Sequence, residues 1–231
     1  MSPAQAEAAS IDVGLRQYMM RVYNYMASGL ALTGIVALLV ASSPAMTHAI
    51  FMTPLKWVVM FAPVVLVFFM SARVATMAAS TASALFWVFS GLMGASLASV
   101  FLVYTGESVT RVFFIAAASF AGLSLYGYTT KKDLSAFGSF LIMGVWGLMI
   151  ASVVNIFLHS SMLQFIVSVA GVLVFSGLTA WDTQRIKEMY WEADSGDVAA
   201  KKAVFGALNL YLDFINLFMF LLQLMGVRRD D

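Results

Sequence analysis

Asp213 lies ten residues into the run AVFGALNLYLDFINLFMFLLQLMG, Ala203 to Gly226, which holds no other charged side chain. A carboxylate inside a segment long enough to cross a bilayer costs roughly 2.5 to 3.5 kcal/mol to insert unless it is protonated, paired or facing water. A neutral Asn would satisfy a neighbouring helix without that cost, so an acid at this depth points to chemistry. At about 100° per residue, Gly206, Asn209, Asp213, Asn216, Phe220 and Gln223 share one stripe of a helix whose other faces are Leu, Phe, Met, Ile and Val. A matching stripe lies upstream: Gln164, Ser168, Gly171, Phe175, Thr179 and Asp182 follow one another at steps of three or four. Asp182 therefore points where the small polar residues of its own helix point.

Asp213 stands about 15 Å along its helix from Ala203. That offset keeps the two acids apart unless helix begins before Ala203, in which case they meet. Two carboxylates in hydrogen-bond contact do not both ionise cheaply, so they share a proton and titrate in two separated steps. Such a pair is a proton sensor. Once ionised it is also a weak oxygen site for Ca²⁺, to which Asn209 and Asn216 add amide carbonyls, although the ligand count is too low for tight binding. Arg73 closes an upstream apolar run on the same side of the membrane. It is either a marker of topology or a counter-ion that holds the ionised pair and releases it on protonation. Pro63, earlier in that run, removes a backbone donor and tends to kink a helix.

The elements that must position these residues follow from composition. The chain has 231 residues, 61% hydrophobic and 11% charged, with a mean hydropathy of +0.89. Those values exclude an ordinary soluble domain and a disordered one, leaving an all-α, polytopic membrane protein. The net charge of +1 supplies no basic field for nucleic acid. Without Cys there is no thiolate chemistry, and the two imidazoles, His48 and His159, flank predicted loops, so neither a metal centre nor a resident cofactor is expected. Residues 1–21 lack an apolar core and read as a cytoplasmic N-terminal tail rather than a cleaved signal. Residues 22–231 then form a single transmembrane domain.

Apolar runs long enough to span number seven, near 22–42, 54–72, 80–104, 111–129, 135–157, 161–181 and 203–226. Placing the N-terminus in the cytoplasm puts nine basic residues inside (Arg16, Arg21, Arg73, Lys131, Lys132, Arg185, Lys187, Lys201, Lys202) and four outside (Lys56, Arg111, Arg228, Arg229), as the positive-inside rule requires. The Arg228–Arg229 pair argues the other way, and a re-entrant sixth run would return the C-terminus to the cytoplasm. The sixth run is long and free of charge, which favours seven true spans. Loops are short except from Asp182 to Lys202. No internal repeat is visible. Small pairs at helix-contact spacing, Ser90 with Gly94, Gly91 with Ala95 and Gly147 with Ala151, read as helix contacts.

WDTQRI from Trp181 to Ile186, YGYTTKKDLS from Tyr126 to Ser135 and LYLDFINLFMFLLQLMG from Leu210 to Gly226 together resemble the Bax inhibitor family of multi-spanning membrane proteins. Trp181 departs from the Tyr common before the Asp. The resemblance implies seven helices with the last surrounded by the others, a bacterial inner-membrane location and a pH-sensitive Ca²⁺ leak. It also implies that Asp182 and Asp213 are the family's paired acids and Arg73 the arginine that bonds them. Bacterial members are further associated with modulation of a membrane-anchored ATP-dependent protease.

Three function classes follow. The leading one is a passive, proton-gated cation pathway with Ca²⁺ or another cation as permeant, membrane lipid as solvent and no cofactor. The alternative is an interaction protein acting on a membrane-anchored protease through the tail and the Asp182–Lys202 loop, whose charges are balanced. An enzyme is not expected, because no H-E-x-x-H, G-x-S-x-G or phosphate-binding glycine loop is present. The flanks of the two acids also differ from those of intramembrane aspartyl proteases. A retinal protein is disfavoured because the last span has no Lys for a Schiff base.

Overall fold

Long apolar segments in lipid must satisfy every backbone N–H and C=O internally, and the chain does so with helices throughout. A computed structural model describes residues 3–74 and 76–229, with side chains from residue 13 onward. Its helices are α1 (Pro3–Ser42), α2 (Pro44–Phe51), α3 (Leu55–Arg73), α4 (Ala79–Val103), α5 (Gly106–Thr129), α6 (Ser135–Leu158), α7 (Ser161–Glu188) and α8 (Gly196–Met225). All but α2 are long and apolar enough to cross a membrane, seven candidates among the described residues. Large apolar side chains such as Phe68, Leu173 and Phe157 stand exposed, 69%, 67% and 79%, as suits a surface whose solvent is lipid.

The expected spans agree with these helices to within about five residues except at α1, α2, α7 and α8. α2 was not expected, being too short to cross. Ser43 caps it by accepting from the Met46 amide, and Pro44 fills the first turn, where its missing N–H has no role. α7 and α8 both overrun their apolar cores into charged sequence, so the long loop expected from Asp182 to Lys202 reduces to Met189–Ser195. Lys202 Nζ closes that loop, 2.5 Å from Asp194 Oδ2 and 2.9 Å from the Met189 carbonyl. The first residues of the expected tail, 1 and 2, and the side chains of 3–12 lie outside the described residues. From Pro3 the backbone is helical and runs unbroken into the first span.

The contacts divide the chain into two compact units. The first holds residues 1–103 and 189–211, the second 104–188 and 212–231. In the first unit α1 and α3 both pack on α4. Gly94 admits the backbone of Thr33, whose carbonyl oxygen would lie 2.6 Å from an added Cβ. Thr33 Oγ1 is then 2.8 Å from the Ser90 carbonyl and 2.6 Å from the Tyr211 hydroxyl, onto which Phe86 and Phe89 pack edgewise. Pro63 is buried inside a continuous α3.

In the second unit α7 packs on both α5 and α6. Gly127 brings α5 against the Ala180 carbonyl, and Trp181 covers Gly138 of α6. Among the small pairs, Gly94 does serve a helix contact, whereas Gly91 and Gly147 have no atom within 4 Å of an added Cβ. Equal spacing along a helix does not distinguish the face turned to a neighbour from the face turned to lipid. Of all the spans α8 is the most buried, with 67% of its most apolar window inside against 33% or less elsewhere.

Candidate functional site

The three residues Asp182, Thr183 and Gln184 are consecutive, so at about 100° apart they face three directions, and each is used. Thr183 Oγ1 donates to the Thr179 carbonyl, 2.7 Å, and meets Ser124 Oγ at 3.0 Å, fixing α7 on α5. Gln184 clamps the turn before α6: its Nε2 donates to the Lys132 carbonyl at 2.8 Å and its Oε1 accepts from the Leu134 amide at 2.9 Å. Lys187 Nζ adds a bond to the Tyr128 carbonyl, 2.8 Å. With Gln184→Ala the turn loses both bonds and the Leu134 amide is left without its acceptor, a cost of about 1 to 3 kcal/mol. Hydrogen exchange at Leu134 is then expected to accelerate while exchange in the middle of α7 is unchanged.

These bonds set the rotation of α7 so that Asp182 turns inward. It is 8% exposed, and Asp213 of α8 is 4% exposed. Their carboxyl groups lie within hydrogen-bonding reach of each other, both in the second unit. α8 begins at Gly196, before Ala203, which removes the offset counted from the apolar run alone. Oδ2 of Asp213 is buried without a donor among the described residues. Ionised carboxylates only accept, so a proton on the pair is the donor that would satisfy this oxygen.

Arg185, one turn from Asp182 on α7, lies close enough to act on that carboxyl by its charge. Its guanidinium also lies over the Trp181 ring, 5.4 Å from the centroid. The sequence alone assigns Arg185 to topology and to the charged Asp182–Lys202 loop; its spacing of three from Asp182 is the signal for this further role. Arg73, the counter-ion expected from the sequence, is the exposed last residue of α3 and belongs to the first unit. Asn209 also belongs to the first unit, and Asn216 donates its Nδ2 back to the Leu212 carbonyl, 2.8 Å. No group of three or more His, Asp or Glu suited to a metal occurs among the described residues.

Farther along the same stripes the facing residues continue in step. Phe220 stacks on Phe175, 5.8 Å between centroids, and its ring lies over Gly171. Gln223 Oε1 accepts from Gln164 Nε2 at 2.7 Å and from Ser168 Oγ at 3.1 Å, and Asn155 Nδ2 extends this set by donating to Gln164 Oε1, 3.2 Å. An open recess of about 460 Å³ at this end is lined by Ser152, Asn155, His159, Ser160, Gln164 and Arg228, among others.

The family described as "Inhibitor of apoptosis-promoting Bax1" matches residues 15–230 of the sequence. The chain belongs to the Bax inhibitor family. An uncharacterized protein of Caulobacter vibrioides is 50% identical over 239 residues, 99% of this chain and 95% of its own length. An uncharacterized protein of Rickettsia prowazekii is 48% identical, covering 96% of this chain and 94% of its own. The inner membrane protein YbhL of Escherichia coli K12 is 43% identical, covering 94% of each chain. Family membership, the inner-membrane relative and the seven apolar helices make this a multi-pass inner-membrane protein. The family motifs carry the contacts described above: WDTQRI holds Asp182, Thr183, Gln184 and Arg185, and LYLDFINLFMFLLQLMG holds Asp213, Phe220 and Gln223. The Trp181 indole covers Gly138 and underlies Arg185.

Proposed function

We propose that the protein is a passive cation leak, with Ca²⁺ as its principal ion, whose flux follows the protonation of the Asp182–Asp213 pair. The observation that carries this reading is the pair itself: two buried carboxyl groups from different helices, within hydrogen-bonding reach and with one oxygen lacking a donor. Its charge changes with pH in separated steps. When ionised, the pair attracts Arg185 and draws α7 and α8 together around that charge. When either carboxyl takes up a proton that attraction weakens, and the two helices are free to separate. Flux therefore rises as pH falls. The reading needs no covalent step and no cofactor, because a change of charge between two helices is sufficient to bias a bistable contact.

Full-length protein in liposomes loaded with a Ca²⁺ indicator tests it across a pH series. Wild type is expected to leak faster in acid, and Asp182→Asn to leak at a rate that pH no longer alters. An Asp182→Asn profile superimposable on wild type would sink the mechanism.

A further inference from the structure

The two polar stripes are interrupted once. Phe175 lies seven residues before Asp182, and Phe220 seven residues after Asp213, so each ring stands about 10 Å, or two turns, from the acid of its own helix. Beyond the rings, on the side of the α6–α7 turn, the stripes become polar again at Ser168, Gln164 and Gln223, which are hydrogen-bonded to one another, and Gln164 lines the recess. Between Thr179 and Asn216 on the acid side and this amide cluster, the stripes present the two rings. A stacked pair of rings offers water no hydrogen bonds, and a constriction of that kind closes a pathway by drying it.

We propose that Phe220, stacked on Phe175, is the barrier that separates the polar recess from the acid pair, and that ions and water reach the pair from that end only when the Phe220 ring moves aside. This inference rests on the leak reading and assigns the place where its path is closed. Three observations converge on Phe220. Its ring fills the space that a side chain at position 171 would take, since a Cβ on Gly171 would meet ring carbons at 2.5 to 2.6 Å. Phe175, its partner, is buried, while Phe220 is only half-buried, so Phe220 is the ring with room to turn. On its far side Thr179 is fully buried, its hydroxyl bonded to the Phe175 carbonyl at 2.8 Å, so the stripe beyond the rings is sealed in this state.

The chain contains no Cys, which permits an accessibility test independent of conduction. In oriented membrane vesicles carrying the full chain, a charged, impermeant thiol reagent is added on the side of the α6–α7 turn. At alkaline pH, Gln223→Cys, short of the barrier, is expected to react, and Thr179→Cys, behind it, to remain protected. Combining Thr179→Cys with Phe220→Ala is expected to raise its labelling rate about tenfold or more. Gly171→Ala keeps the ring but displaces it, and should expose Thr179→Cys likewise; Phe220→Leu preserves apolar bulk and should not.

At alkaline pH, where the leak reading keeps the path closed, protection of Thr179→Cys that persists with both Phe220→Ala and Gly171→Ala would overturn the barrier, as would labelling of Thr179→Cys with Phe220 intact and Gly171 unchanged. Ca²⁺ flux in the same variants separates the two ideas. Exposure of Thr179→Cys without flux at any pH upholds the barrier and removes the leak; pH-dependent flux with Thr179→Cys protected throughout upholds the leak and removes the barrier.

Discussion

Asp213→Asn is expected to leak Ca²⁺ at alkaline pH as fast as wild type does in acid, with a flat profile between. The amide is nearly isosteric with the acid and is neutral at every pH, so it mimics the protonated carboxyl. It also brings an N–H donor toward Asp182, which an ionised carboxylate cannot do. The fold should therefore survive, and the change reads out charge rather than unfolding. Asp213→Ala is the contrasting case. It leaves Asp182 buried, 8% exposed, without its facing group, and should destabilise the protein by about 1 to 3 kcal/mol. Thermal unfolding in detergent separates the two variants: Asn near wild type, Ala clearly lower. Because the acids act as one unit, joining Asp182→Asn to Asp213→Asn should add little to the flux change of either alone. An Asp213→Asn protein that keeps the wild-type pH profile would show that the pair does not sense protons for conduction.

The acid pair was legible in the sequence because helical phase is a one-dimensional signal. Steps of three and four placed Asp182 and Asp213 on polar stripes, and lipid made those stripes conspicuous. The span count was legible for the same reason. Three features were hidden, each for a physical cause. α2 is stabilised by a cap and a proline, local signals that a search for membrane-length runs passes over. α7 and α8 overrun their apolar cores into charged sequence held by hydrogen bonds, Lys187 to Tyr128 and Lys202 to Met189, so hydropathy ends α7 too early and starts α8 too late. Arg185 was read as a topological charge, because rules for membrane orientation count positive residues without asking which way they point. The stacking of Phe220 on Phe175 was likewise present in the two stripes. Only the facing of α7 and α8 turned a gap in each polar pattern into one contact.

Gly127→Ala should be among the most damaging single-methyl changes in the chain, although alanine is the better helix former. A Cβ at Gly127 would lie 2.1 Å from the Ala180 carbonyl oxygen and 3.0 Å from its Cα, and these are backbone atoms that cannot rotate away. α5 and α7 must then move apart. The Ser124–Thr183 contact, 3.0 Å and one turn from Gly127 on α5, lengthens with them, and the rotation that aims Asp182 inward loses its support. Overpacking of this kind costs about 3 kcal/mol.

Gly147→Ala on α6 supplies the control, since nothing lies within 4 Å of the added methyl. There only the backbone term remains, favouring alanine by up to about 1 kcal/mol. In detergent, the thermal midpoint is expected to fall for Gly127→Ala and to hold or rise for Gly147→Ala. Flux should respond in the same order, with Gly127→Ala losing pH dependence even though both acids are present. A Gly127→Ala protein as stable as wild type would mean that α5 and α7 approach less closely than Gly127 allows, and that Asp182 is held by something other than the Ser124–Thr183 contact.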